Sequence, residues 1–207
     1  MLEISNMVRK QLENEGYRVT ITNTAENINK KTSDPYDENG EITKIYNSKA
    51  KYVFSIHLNS TLGNLGYSGV EIYVPNNIDL TLARALAVSI KGNAQTTYSN
   101  NPAFKIENGI YVRPSYGNEK YDVEVDPTIT PFYYVLRETG GVITGSYNDG
   151  SSDYQKSLFY GKKVGVESYL LELGYIINDA DLNNILNNKE SYVKGIVDAI
   201  KQNIKKS

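Results

Sequence analysis

The sequence predicts an α/β domain, a single twisted and mostly parallel sheet with helices on both faces. Three observations carry that expectation. Short runs rich in β-branched and aromatic residues, such as KYVFSIH (51–57) and VESYLLEL (166–173), are apolar throughout and read as strands covered on both sides. Stretches with apolar residues at helical spacing, such as LTLARALAVSIKGNA (80–94), lie between them. The two kinds alternate along the chain, as parallel strands require, because each parallel return needs a crossover. At 207 residues and 23.2 kDa, one domain over 1–207 is the simplest organisation.

The elements follow in order. Leu2, Ile4, Met7, Val8 and Leu12 mark a first helix over 2–15, ended by Gly16 in a left-handed conformation. YRVTITN (17–23) alternates and is β-branched, which predicts a strand. The polar stretch 24–40, punctuated by Pro35 and Gly40, reads as a long loop, and 41–49 as a short helix. Strands are expected at 51–57, 69–74 and 109–113, with the helix 80–94 capped by Asn77 or Asp79. A short helix over 131–139 precedes the strand 166–173. Asn178 then caps a helix to about 187 whose first turn is acidic, and a last helix covers 190–204. Two tyrosine-rich segments, about 98–131 and 140–163, give weaker signals.

Composition excludes several classes of function. The absence of cysteine removes disulfides, iron–sulfur clusters, Cys-ligated zinc and thiol nucleophiles. With 22 basic and 24 acidic residues there is no excess of positive charge for nucleic acid. No apolar run is long enough to span a membrane, and the N-terminus lacks a signal-peptide pattern. The 23 Asn, 18 Tyr and 17 Lys against 5 Arg have a bland explanation in an AT-rich genome. There is no Walker loop, no dinucleotide fingerprint and no G-x-S-x-G elbow.

Ligands of open α/β sheets gather at the carboxyl ends of strands, which leaves a short list. The sole histidine, His57, ends KYVFSIH, and alternation puts it on one face with Val53 and Ser55. Glu172 ends an apolar strand between Leu171 and Leu173, where a carboxylate needs a raised pKa or a cationic partner. A lone histidine at a strand end also suits a hydrogen-bonded core residue, and a lone glutamate suits an ion pair. Together they point to one polar pocket. Glu71, in GVEIYV, fits a solvent-facing acid on a half-exposed strand. Asn59 and Ser60 are either loop hydrogen-bonders or substrate contacts. Arg113 and Arg137 suit a substrate carboxylate or ordinary surface pairing. Tyr111, Tyr116, Tyr121, Tyr133 and Tyr134 line a groove or reflect composition alone.

The segments KYVFSIHLNS (51–60), GVEIYV (69–74), YYVLRET (133–139) and SYLLELGYIINDADLNNI (168–185) resemble, in order and rough spacing, the zinc-dependent N-acetylmuramoyl-L-alanine amidases of the amidase-3 type. The resemblance implies cleavage of the amide between N-acetylmuramic acid and L-alanine in peptidoglycan. It implies one Zn2+ held by His, Glu and His, with His57 matching one ligand and Glu172 matching the catalytic acid/base. Asn59 and Arg137 would then touch substrate. It also implies a monomer acting at the bacterial cell wall or outside the cell, among autolysins and endolysins, with peptidoglycan as its partner.

The chain departs from the pattern at its start. The family opens on a strand with a D-P-G-H-G-G-like motif that holds the first histidine ligand, and its glutamate ligand follows shortly before the first helix. This chain begins at MLEIS, which resembles the start of that helix. The expectation is therefore an N-terminally incomplete domain that lacks the first strand and two zinc ligands, inactive as it stands. A non-catalytic peptidoglycan-binding module that keeps the groove is the alternative, and a metal-free hydrolase with paired carboxylates comes third.

Overall fold

A computed structural model describes residues 1–23, 40–63, 65–75, 78–114, 132–139 and 166–206. The elements run α1 (Leu2–Asn14), α2 (Glu41–Ser48), β1 (Tyr52–Asn59), β2 (Glu71–Tyr73), α3 (Thr81–Ala94), β3 (Lys105–Glu107), β4 (Ile110–Tyr111), α4 (Tyr134–Thr139), β5 (Glu167–Tyr175), α5 (Asp179–Asn187) and α6 (Lys189–Asn203). The expected loop over 24–40, apart from Gly40, residues 115–131 of the first tyrosine-rich segment and the whole of the second lie outside the described residues. No helix among the described residues is long and apolar enough to cross a membrane.

The five strands form one sheet in the order β1-β5-β2-β4-β3. β1 pairs with β5 and β2 with β4 in parallel, whereas β2–β5 and β3–β4 are antiparallel. The sheet is therefore mixed, and the connections explain why. The link from β1 to β2 contains no helix, so the chain returns in the opposite direction. From β2 to β4 the chain crosses over through α3 and comes back parallel.

The apolar residues segregate by face. Tyr169, Leu171 and Leu173 of β5 pack with Ile72, α1, α3 and α6 in the larger cluster. Leu170 of β5 joins Tyr73, Tyr111, α2 and α4 on the opposite side. Glu172, two residues after Leu170, points to that smaller, more polar face.

Most caps follow the sequence. Gly16 ends α1 with φ +87°. Asn178 caps α5, its side chain accepting from the backbone of Ala180 and Asp181. Asp79 accepts from the Thr81 N–H at 2.8 Å as α3 begins. The strand expected over 17–23 does not form. A cavity separates this segment from β1, so its alternating pattern finds no edge to pair with among the described residues.

α3 packs closely against α6. A Cβ added at Gly195 would lie 2.7 Å from Ile90 Cα and 2.9 Å from the Ser89 carbonyl, both backbone atoms that cannot turn aside. Gly195→Ala is therefore expected to cost about 1–3 kcal/mol in urea unfolding. Gly92→Ala in α3, where an added Cβ meets nothing within 4 Å, should stabilise by about 0.5–1 kcal/mol. Equal effects at the two positions would contradict the packing.

Candidate active site

Three neighbouring strands each place one polar side chain in the same row. His57 of β1 is the register partner of Glu172 of β5, and Glu172 is in turn the partner of Glu71 of β2. Register partners share a face and stand about 5 Å apart, so His57, Glu172 and Glu71 form a line across the sheet. The structure thus brings together the two residues singled out first, His57 and Glu172. It adds a third.

Glu71 corrects the sequence reading. It is fully buried rather than solvent-facing, because β2 is a central strand with β5 and β4 on its two sides. Its Oε1 accepts from Ser99 Oγ at 2.7 Å and from Tyr175 Oη in a short bond. Its Oε2 accepts from Asn59 Nδ2 at 2.7 Å. These donors come from positions far apart in sequence, so no local pattern could have revealed the site.

Glu172 is 5% exposed, and its buried Oε2 has no hydrogen-bond partner. Burial, and after it the charge of Glu71, push its pKa up to about 8. At neutral pH this carboxyl mostly holds its proton.

His57 keeps an edge open to solvent, and its Nε2 lies 2.8 Å from Ser55 Oγ. Crowding by protein on its other sides lowers its pKa, and Glu41 partly opposes that effect. Tyr133 covers the same face. Its ring sits edge-on to Tyr73 with centroids 5.0 Å apart. Burial, then the charge of Glu172, raises its pKa, and the nearby Arg113 guanidinium partly opposes that rise.

The remaining candidates divide. The Asn59 amide is engaged on both sides, donating to Glu71 and accepting from the Ser60 N–H at 2.8 Å. Arg113 stacks its guanidinium 3.5 Å from the centre of the Phe132 ring. Arg137 falls in α4, but its side chain lies outside what is described. Tyr111 is wholly buried in the core, and Tyr116 and Tyr121 lie outside the described residues.

Asp181 has a part that the sequence did not reveal. Beyond supplying charge to the first turn of α5, its Oδ2 accepts from the N–H groups of Gly69 and Tyr175, each at 2.9 Å. This fixes the end of β5 just past Glu172 against the start of β2.

The model for the family described as N-acetylmuramoyl-L-alanine amidase matches residues 1–205. The chain belongs to that family. The amidase fold is seen again in solved structures. Cwp6 from Clostridium difficile is 20% identical with a TM-score of 0.58, over 99% of this chain and 25% of that one. The catalytic domain of CwlV from Bacillus (Paenibacillus) polymyxa var. colistinus is 18% identical with a TM-score of 0.58, over 97% of this chain and 80% of that one. AmiC2 of Nostoc punctiforme is 18% identical with a TM-score of 0.57, over 96% and 79%. The chain thus spans a quarter of the length of Cwp6. No curated protein matches it.

A catalytic zinc site typically takes three protein ligands. This chain has one histidine and no cysteine, and among the described residues no three His, Cys, Asp or Glu side chains are grouped to hold a metal. Both Glu71 oxygens already accept hydrogen bonds. The described residues therefore do not fit the zinc site that the resemblance implied.

The raised Glu172 pKa has a consequence for stability. Above pH 4.5 the unfolded chain gives up this proton, whereas the folded chain keeps it until about pH 8. Stability should therefore fall as pH rises through this window, by about 3–5 kcal/mol in total, and level off above it. Glu172→Gln should flatten that slope in urea titrations from pH 5 to 8. An unchanged slope would place the titration elsewhere.

Proposed function

We propose that this domain acts on peptidoglycan, at the amide joining N-acetylmuramic acid to L-alanine, with Glu172 as the proton carrier of the site. The observation that carries the reading is the His57–Glu172 register pair on the polar face of a sheet belonging to the amidase family. A protonated carboxyl with one oxygen free of internal hydrogen bonds is equipped to give a proton to a departing amine and to take one back from water. Its burial keeps that proton in place near neutral pH. Tyr133 lies close enough to the site for its hydroxyl to feel the charge of Glu172.

Zinc enters only where donors beyond the described residues join His57. Without such donors the chain is expected to bind the wall polymer without cutting it. Asn59 acts through Glu71, and Arg137 contacts substrate from α4. The domain works as a monomer at the cell wall.

The donor count favours a second reading, a peptidoglycan-binding module that keeps the groove without chemistry. Two measurements on the purified chain test whether it binds the wall polymer and whether it cuts it. Metal analysis should give far less than one zinc per chain. Pelleting with purified sacculi should retain the chain equally with and without chelator, with no new amino groups released. Failure to pellet would remove the peptidoglycan reading. Stoichiometric zinc with release of stem peptides would overturn the expected inactivity. Once such activity were seen, a Glu172→Gln chain that bound sacculi as the parent does but released no stem peptides would keep Glu172 in the chemical step, and one that cut as the parent does would remove it.

A further inference from the structure

One arginine on the polar face of the sheet is held by rings rather than by acids. The guanidinium carbon of Arg113 stands 3.5 Å from the centre of the Phe132 ring, 5.4 Å from that of Phe104 and 5.8 Å from that of Tyr133. A single contact of this kind recurs only about once per 70–80 residues, and here three converge on one cation. Phe104 and Tyr133 pack on the smaller cluster, the side of the sheet to which Glu172 points, so Arg113 stands on that side as well.

The rings are fixed in turn. Tyr133 lies edge-on to Phe132 and to Tyr73, with centroids 5.2 Å and 5.0 Å away. Phe104 takes φ +64°, a left-handed conformation that a bulky residue adopts only where its surroundings impose it. Its carbonyl is tied to the Val112 N–H at 3.0 Å. The Arg113 carbonyl accepts from the Phe132 N–H at 2.8 Å, which anchors the backbone beneath the guanidinium. Backbone strain of this sort gathers at ligand clamps.

The clamp leaves the charge unanswered. Rings stacked on a guanidinium meet its faces, whereas its N–H donors lie in its plane, where a carboxylate takes two of them at once. Among the described residues none forms an ion pair with Arg113, and its buried Nε has no hydrogen-bond partner. Partial burial strengthens the pull of such a cation on an anion that reaches it.

The distance to Glu172 follows from the ladders. Tyr111 shares a row with Tyr73 and Leu170, two residues from Glu172, and Arg113 lies two residues further off. Two strand spacings across and four residues along put the two backbones about 16 Å apart. An extended peptide covers that span in about five residues, and in fewer once the reach of the arginine side chain is counted. The Tyr133 hydroxyl feels the charges of both Glu172 and Arg113.

We propose that Arg113 and its three rings form a carboxylate-binding subsite, which holds an acid of the stem peptide a few residues from the amide at Glu172. The domain thereby selects stem peptides with a free carboxylate over amidated ones. The assignment rests on the peptidoglycan reading above and adds to it the chemical class of stem that is bound.

The test pellets the whole chain with sacculi freed of phosphate polymers by hydrofluoric acid, one half of them then amidated at their carboxyl groups with carbodiimide and ammonia. The chain should bind the untreated sacculi about tenfold more tightly than the amidated ones. Arg113→Leu should lose about tenfold on untreated sacculi and nothing on amidated ones, a coupling that loss of packing alone does not produce. Arg113→Lys keeps the charge without the planar fork and should stay at least about threefold weaker than the parent; it serves the same comparison should Arg113→Leu fail to fold. Equal binding of the parent chain to both sacculi, an equal loss on both in Arg113→Leu, or full binding by Arg113→Lys would each overturn the subsite and leave the peptidoglycan reading standing. Binding to neither would overturn that reading and the subsite with it.

Discussion

The buried carboxylate of Glu71 is the point on which the polar half of the domain turns. Placing an ion where no water reaches is costly unless several donors converge on it. Here they do, from the end of β1 through Asn59, from the loop after α3 through Ser99, and from the end of β5 through Tyr175. One carboxylate thereby fastens four separate pieces of chain at the same level of the sheet. The alignment of His57 with Glu172 depends on that level being kept. Charge-assisted hydrogen bonds of this kind are stronger than neutral ones and lose more when a partner is removed. The same carboxylate also acts at a distance, since its charge adds to the cost of ionising Glu172.

The two faces of the sheet divide the labour between stability and chemistry. The fully buried residues of the face under α1, α3 and α6 are aliphatic apart from Tyr169 and Tyr192, and close helix contact at Gly195 keeps it dense. The face under α2 and α4 carries tyrosines, the row of titratable groups and the Tyr134–Glu41 hydrogen bond that joins its two helices. Moving any strand by one residue would exchange these sets and bury the carboxylates against aliphatic side chains. The polar row thus helps to specify the register as well as to offer reactive groups.

Much of this was legible in the sequence. The periodicity of Leu2 to Leu12, the apolar run before His57 and the Asn178 cap each follow from local physics, and each appears where expected. His57 and Glu172 were recognisable because a polar group ending an apolar strand is unusual. Glu71 was not, because GVEIYV looks the same whether its glutamate meets water or a cage of donors 28 and 104 residues away. The segment 17–23 shows the converse limit: strand propensity describes a willingness to pair, and pairing also needs an edge within reach. Neither case could be settled by inspecting a window of sequence, since the deciding atoms belong to other windows.

Gly174 and Asp181 form a different kind of dependence. A Cβ at Gly174 would fall 3.0 Å from both the Cβ and Oδ2 of Asp181, the oxygen that holds the backbone of Gly69 and Tyr175. The two positions therefore constrain one another. A larger residue at 174 requires the aspartate to give way by a few tenths of an ångström, which disturbs the oxygen that holds both amides, and losing the aspartate leaves those two buried amides without their acceptor.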